Sequence, residues 1–225
     1  MSMHLGIRWV ATVTVTLWVQ SLAAQEEAYP HVYRAWFEAG PLFSDQTELH
    51  SFPGAASSSK LTLNTGVRVG VGADYSLNHY LSFGWEIAVL GSSVDKASGL
   101  EEMDAVITQV PLLINLAVRY ENQTGFTPFI AIGVGGASTA INVDEARSGT
   151  VVAEGSDYDF VFAWQAAAGL KYEFRNGLEL GVLYKYLWTG DAEWELEDDL
   201  AGPDPELELG GIQSHAILGF ISYRF

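Results

Sequence analysis

Apolar and polar residues alternate one by one along this chain, and the pattern recurs in eight separate segments. A period of two is the signature of a β-strand with one apolar and one polar face. The clearest segment runs from Leu61 to Tyr75. Leu61, Leu63, Thr65, Val67, Val69, Val71, Ala73 and Tyr75 fall on one side, against Thr62, Asn64, Gly66, Arg68, Gly70, Gly72 and Asp74. Between Ala105 and Tyr120 the apolar set is Val106, Thr108, Val110, Leu112, Ile114, Leu116, Val118 and Tyr120. Between Tyr158 and Phe174 every even position is apolar, aromatic or alanine, and Leu178 to Trp188 repeats the form. Tyr33–Phe43, Leu81–Leu90, Thr127–Ile141 and Gly211–Phe225 complete the eight.

A soluble sandwich or lipocalin-like barrel also alternates, but it turns its apolar face inward and its charge to water. Here the apolar face carries almost no charge, and the opposite face is rich in glycine and polar groups. That is the pattern of strands with lipid outside. In a bilayer every backbone N–H and C=O must be paired within the protein, so strands cross only as a closed barrel. The expected fold is all-β, an eight-stranded antiparallel up-and-down transmembrane barrel over residues 33–225. Eight strands is an even number and closes around a packed interior.

The connections alternate in length. Ser76–His79, Glu121–Phe126 and Arg175–Gly177 are short, and the last places Gly177 where a three-residue hairpin needs a left-handed residue. Ser44–Lys60, Gly91–Asp104, Asn142–Asp157 and Thr189–Gly210 are long. In barrels of this kind short turns face the periplasm and long loops the exterior. The four strands that descend to the short turns end in outward tyrosines, Tyr75, Tyr120, Tyr172 and Tyr223. An aromatic ring with a polar tip belongs at a lipid–water boundary, so these four are expected to form a periplasmic girdle.

Residues 1–24 have the character of a cleaved signal peptide. Arg8 precedes an apolar stretch from Trp9 to Val19, and Ser21-Leu22-Ala23 fits the small-x-small rule. Residues 25–32 are then a short periplasmic lead into the first strand. The chain has no cysteine, so in an exported protein neither disulfides nor thiolate metal sites contribute. A net charge of −17 disfavours nucleic acid as a partner.

Several short motifs carry a resemblance: Gly66-x-x-x-Gly70-x-Gly72-x-Asp74-Tyr75, the run Pro128 to Gly136, Gly169-Leu170-Lys171-Tyr172, and the terminal Tyr223-Arg224-Phe225. Together they resemble the small outer-membrane barrel families typified by OmpA, OmpX and the opacity proteins. The resemblance implies a bacterial outer-membrane location, contact with membrane lipids and lipopolysaccharide, and a monomeric barrel. It also implies an assembly signal in Tyr223 and Phe225 that the outer-membrane assembly machinery reads. The peptidoglycan-binding domain of some members is expected to be absent, since the chain stops at that Phe.

Chemistry-bearing residues are few. Arg34, Glu38, Arg68, Glu86, Arg119, Lys171, Glu179 and Lys185 fall on inward positions. In a narrow barrel such charges are desolvated and must pair, so they are expected to form an internal plug, with the interior glycines making room for them. No catalytic residue, metal site or cofactor is expected. His31, His50, His79 and His215 lie far apart in sequence, and Ser214 and His215 are neighbours on a strand, so they point apart. The expected function is therefore structural or surface-interacting, with a plugged polar interior and long loops. A lipid A-modifying enzyme using His215 and a narrow pore are the alternatives. Nine acids and no base lie between Gly190 and Glu208, where Asp191, Glu193, Glu195 and Glu197 alternate with Trp194 and Leu196 as in a strand running past the membrane surface to a tip with Pro203 and Pro205. The spacing is not that of a calcium loop, and the segment is expected to be solvated, with weak Ca²⁺ or Mg²⁺ binding among lipopolysaccharide phosphates as the alternative.

Overall fold

The computed structural model describes residues 32–51, 59–97, 102–148, 151–195, 197–198 and 206–225. The expected signal peptide lies outside the described residues, as does the segment after it up to His31. The strands are β1 (Tyr33–Ser44), β2 (Thr47–Ser51), β3 (Ser59–Leu63), β4 (Gly66–Ser76), β5 (Leu81–Ala97), β6 (Glu102–Arg119) and β7 (Phe126–Ser148). They continue as β8 (Val151–Glu173), β9 (Leu178–Thr189), β10 (Ala192–Glu195), β11 (Glu197–Asp198), β12 (Glu206–Leu209) and β13 (Gln213–Arg224).

Eight of these strands close on themselves. The order β1, β4, β5, β6, β7, β8, β9, β13 returns to β1, antiparallel at every step. Closure leaves no sheet edge within the membrane band, which is what a bilayer demands. The registers also give the stagger. Following partners from Tyr33 through Tyr75, Phe83, Leu116, Ile132, Ala166, Tyr186 and His215 returns to β1 at Phe43, ten positions from the start. A stagger of ten over eight strands tilts them by about 40°, so each residue adds ~2.5 Å of height.

The alternation sorts side chains as lipid requires. Val67, Val69, Val71, Trp85, Ile114, Ile130, Ile132, Phe162 and Val182 are exposed on the outer face, while Arg68, Glu86 and Lys185 are buried inside. Each of the three short turns is closed by an asparagine. The Asn78 carboxamide oxygen accepts from the Tyr80 and Leu81 amides, Asn122 from Thr124, and Asn176 from Leu178. Gly177 has φ +82° and Gly125 has φ +79°, a region where a side chain is strained.

The opposite end differs from expectation in three respects. The alternation of Leu61–Tyr75 is broken after Leu63: β3 leaves the barrel wall, and Leu61 and Leu63 are buried instead of facing out. The long links are largely strand, because the period of two continues into them. β5 runs on to Ala97, β6 begins at Glu102, β7 ends at Ser148 and β8 begins at Val151. The acidic segment is not simply solvated, since it contributes β10 and β12 to a small sheet of order β10–β12–β2–β3, joined to β5. One face of that sheet turns Ala192, Trp194, Leu207 and Leu209 inward, each nearly inaccessible, while Asp191 and Glu193 stay exposed.

Candidate functional site: a layered, closed lumen

The inward side chains stack in four layers from the short turns upward. The first is ionic. Arg34 Nε lies 3.2 Å from Glu179 Oε1, and Arg34 Nη1 lies 3.3 Å from Asp74 and 2.7 Å from the Ser76 hydroxyl. Lys171 reaches Glu179 at 2.7 Å, and Ser222 donates to the other Glu179 oxygen at 2.6 Å. Arg119 closes the rim on Glu121 at 3.0 Å and on the carbonyls of His79 and Asn78.

Above it lie three aromatic rings, Trp36, Phe129 and Phe220. Each is seated against a glycine of the next strand. A methyl on Gly72 would sit 2.4 Å from the Trp36 ring, one on Gly169 2.6 Å from Phe129, and one on Gly181 2.5 Å from Phe220. These three glycines therefore make room for rings and not for charged side chains as expected. Gly70, beside the Glu38 carboxylate, does serve a charged group. Phe129 and Phe220 meet edge to face at 5.8 Å. A cavity of about 120 Å³ lies among these rings and the flanking charges.

The third layer is the tightest ionic cluster. Glu38 accepts from Arg68 at 3.1 Å and from Lys185 at 2.8 Å. Glu86 accepts from Arg68 and, at 2.6 Å, from Lys185. Gln165 bridges the cluster, donating to Glu86 at 2.8 Å and accepting from Arg68 at 3.2 Å, and Asn115 donates to Glu86 at 3.2 Å. Two cations face two anions, and Lys185 also sits 4.8 Å from the Trp36 ring centroid. Removed from water, such charges are tolerable only when paired, and here each is, with Arg68 Nη1 the one buried nitrogen of the cluster that has no hydrogen-bond partner among the described residues.

The fourth layer is apolar. Leu42, Leu90, Ile107, Ala137, Ile141, Val161 and Leu187 line the lumen toward the long hairpins, and Trp194, Leu207, Leu209 and Ile212 belong to the same cluster. The Trp194 indole N–H donates to the Thr139 carbonyl at 3.0 Å, fastening the small sheet to β7. The buried charges are thus confined to the short-turn half among the described residues. The other half is mainly apolar, because the inward positions of the long hairpins carry mostly Leu, Ile, Val and Ala, with uncharged polar groups among them such as Gln109, which donates to the Thr189 hydroxyl at 3.0 Å.

All eight inward charges expected from sequence are buried, and the registers bring them into two groups. The members not anticipated are Asp74, Asn115, Gln165 and Ser222, all at inward positions and so findable by parity. The four girdle tyrosines lie within about 1.5 residues of height of one another, ~4 Å along the axis, and Tyr75 stacks on Tyr33 at 5.1 Å. Tyr223 and Phe225 make a ring pair at 5.2 Å, and the Phe225 amide donates to the Tyr33 carbonyl. His215 faces outward with its Nδ1 at the Tyr184 hydroxyl and Nε2 3.4 Å from Asp45. Ser214 faces inward, 2% exposed, and shares a hydrogen bond with Ser44 at 3.2 Å. No hydroxyl nucleophile on β13 therefore meets His215.

A closed antiparallel sheet with a lipid-compatible outside and a filled inside defines a transmembrane β-barrel. The chain belongs to the family described as outer membrane protein beta-barrel domain, which it matches over residues 10–225. Its location is the bacterial outer membrane. Among solved structures it is similar to the outer membrane protein OprG of Pseudomonas aeruginosa, with a TM-score of 0.61 and 15% identity, covering 87% of this chain and 95% of that one. The outer membrane protease OmpT of Escherichia coli gives 0.56 and 11%, over 88% and 99%. Neisserial surface protein A gives 0.52 and 11%, over 88% and 100%. At such identities the likeness is one of fold. No curated protein matches the sequence.

Proposed function

We propose that this protein is a closed, monomeric outer-membrane scaffold that holds a folded surface of β-hairpins outside the cell and neither conducts solutes nor catalyses a reaction. The observation that carries this reading is the continuity of the filling, with ionic, aromatic, ionic and apolar layers across the lumen. A pore needs a polar, hydrated path, and the apolar layer with its Trp194 cap opposes one. In this reading the short turns are periplasmic and the tyrosines mark the inner boundary of the bilayer. Membrane lipids and lipopolysaccharide surround the wall. Tyr223 and Phe225 act as the signal to the assembly machinery.

Lipid A modification at His215 is the second reading, favoured only by the Tyr184–His215–Asp45 contacts on the lipid-facing wall. Mass spectra of lipid A from cells with and without the gene separate the two. Unchanged acylation is expected, and an altered acyl pattern would replace the scaffold by an enzyme. The orientation is tested with single cysteines, since the native chain has none. Asp95→Cys should react with a membrane-impermeant reagent on whole cells, and Asn176→Cys only after the outer membrane is opened. The reverse pattern would invert the barrel.

A further inference from the structure

The lipid-facing stripe of β8 does not stop where the others do. Counting from the level of the tyrosines, Phe43 on β1, Val110 on β6, Phe162 on β8 and Trp188 on β9 all stand about ten residues up, ~25 Å, the usual height of an outer-membrane apolar band. On β8 the stripe continues through Phe160 and Tyr158, about two and four residues higher, or ~5 and ~10 Å beyond that boundary. Both rings are among the most exposed in the molecule, at 69% and 73%. The outward positions at the same height on β5 are Ser93 and Asp95. Across β8, by contrast, the neighbours are Ser138 opposite Phe160 and Ala140 opposite Tyr158, with Val110 and Thr108 beyond. The Phe160 ring also lies over Gly136, where an added methyl would be 2.3 Å away. Small residues thus form a floor and leave the upper faces of both rings open.

From this we infer that Phe160 and Tyr158 form a ledge that stacks against the sugar rings of lipopolysaccharide molecules standing beside the barrel in the outer leaflet. The inference rests on the orientation given above, with the hairpins outside. Three observations select this partner. The ledge is continuous with the wall that meets the acyl chains, so its occupant is joined to that lipid. Side chains stand perpendicular to a sheet, so the rings face sideways along the membrane and not toward the medium. The level of Tyr158 is that of the headgroup, where sugars begin, while the Phe160 ring reaches back over Gly136, opposite Phe162 at the boundary. Two rings at i and i+2 stand about 7 Å apart along the strand, enough to meet two linked sugars.

The test uses the mature protein in nanodiscs of phospholipid, with or without lipopolysaccharide bearing its core sugars, and a third arm of phospholipid discs with the core oligosaccharide free in solution. Magnetisation transfer from sugar protons to the Phe160 and Tyr158 ring protons is expected in the lipopolysaccharide discs alone. Lipopolysaccharide retained per barrel should fall by roughly fivefold or more in the Phe160→Ser, Tyr158→Ser double variant. Both positions are exposed, and unchanged thermal unfolding of the variant certifies the fold. Transfer only from acyl protons would mean the rings sit in lipid. Equal transfer from the free oligosaccharide would assign the ledge to soluble glycans, and ring contacts between barrels would assign it to a second copy. Each of these overturns the inference. Inverted cysteine labelling would instead remove the orientation, whatever the rings contact.

Discussion

The two halves of the lumen are closed by opposite means. Toward the short turns the filling is charged, and every carboxylate there is met by a guanidinium or ammonium. Toward the hairpins it is mainly aliphatic with a few uncharged polar groups such as Gln109 and Thr189, and it is sealed by a sheet that brings in Trp194 from a strongly acidic segment. The difference shows that a barrel interior is not polar by rule. An ionic layer fixes which strand faces which, because a shifted register would leave a buried charge alone. An apolar layer tolerates changes of shape and responds mainly to lost volume.

Substitutions in each half should therefore fail differently. The largest effect is expected in the central ionic layer. Glu86→Leu alone leaves Arg68 and Lys185 sharing Glu38, and should cost about 3–5 kcal/mol in denaturant unfolding of the refolded barrel. Adding Lys185→Met restores charge balance and should recover most of that loss. An equal loss in the single and double variants would mean that volume, and not charge, matters there.

In the apolar half, Trp194→Ala should cost about 3 kcal/mol. Here no second change of charge should rescue it. Protease cutting of the hairpin end should rise while the barrel wall stays intact, as seen by fragment mass. Cooperative loss of the whole barrel would show that the cap and wall are one unit.

A smaller effect is expected where the halves meet the aromatic layer. Gly169→Val would drive a side chain into Phe129 and Leu183, and should destabilise by about 1–3 kcal/mol. Pairing it with Phe129→Ala should relieve the overlap. The smallest is the rim pair Arg224–Glu173 at 2.6 Å, which is partly exposed, so Arg224→Ala should change stability by less than about 1 kcal/mol and less still in high salt.

Much of this architecture was legible from parity alone. Once Arg68 and Glu86 are assigned to the inward face of a barrel, desolvation demands partners, and the Arg68–Glu86 contact follows from adjacent strands. Lys185 meeting Glu38 depends on the stagger around the closed barrel, which no single segment carries. The apolar half was hidden for another reason. Leu61 and Leu63 keep the same odd parity as Val67 and Val69, so nothing in the pattern marks the break at Asn64 and Thr65. Trp194 among acids looks like a solvated segment until β12 and β2 supply a sheet to bury one face. The glycines misled in a similar way: position shows that Gly72, Gly169 and Gly181 face inward, but only the neighbouring strand shows that a ring fills the space.

The central claim, a lumen closed to solutes by its side chains, is tested most directly by electrical recording. Purified protein incorporated into planar bilayers should show no steady current above the bare membrane at any applied voltage that the bilayer withstands. Trp194→Ala should remain silent as well, since the two ionic layers and the aromatic rings still block the path. A stable, voltage-independent open-channel conductance in the native protein would contradict the account.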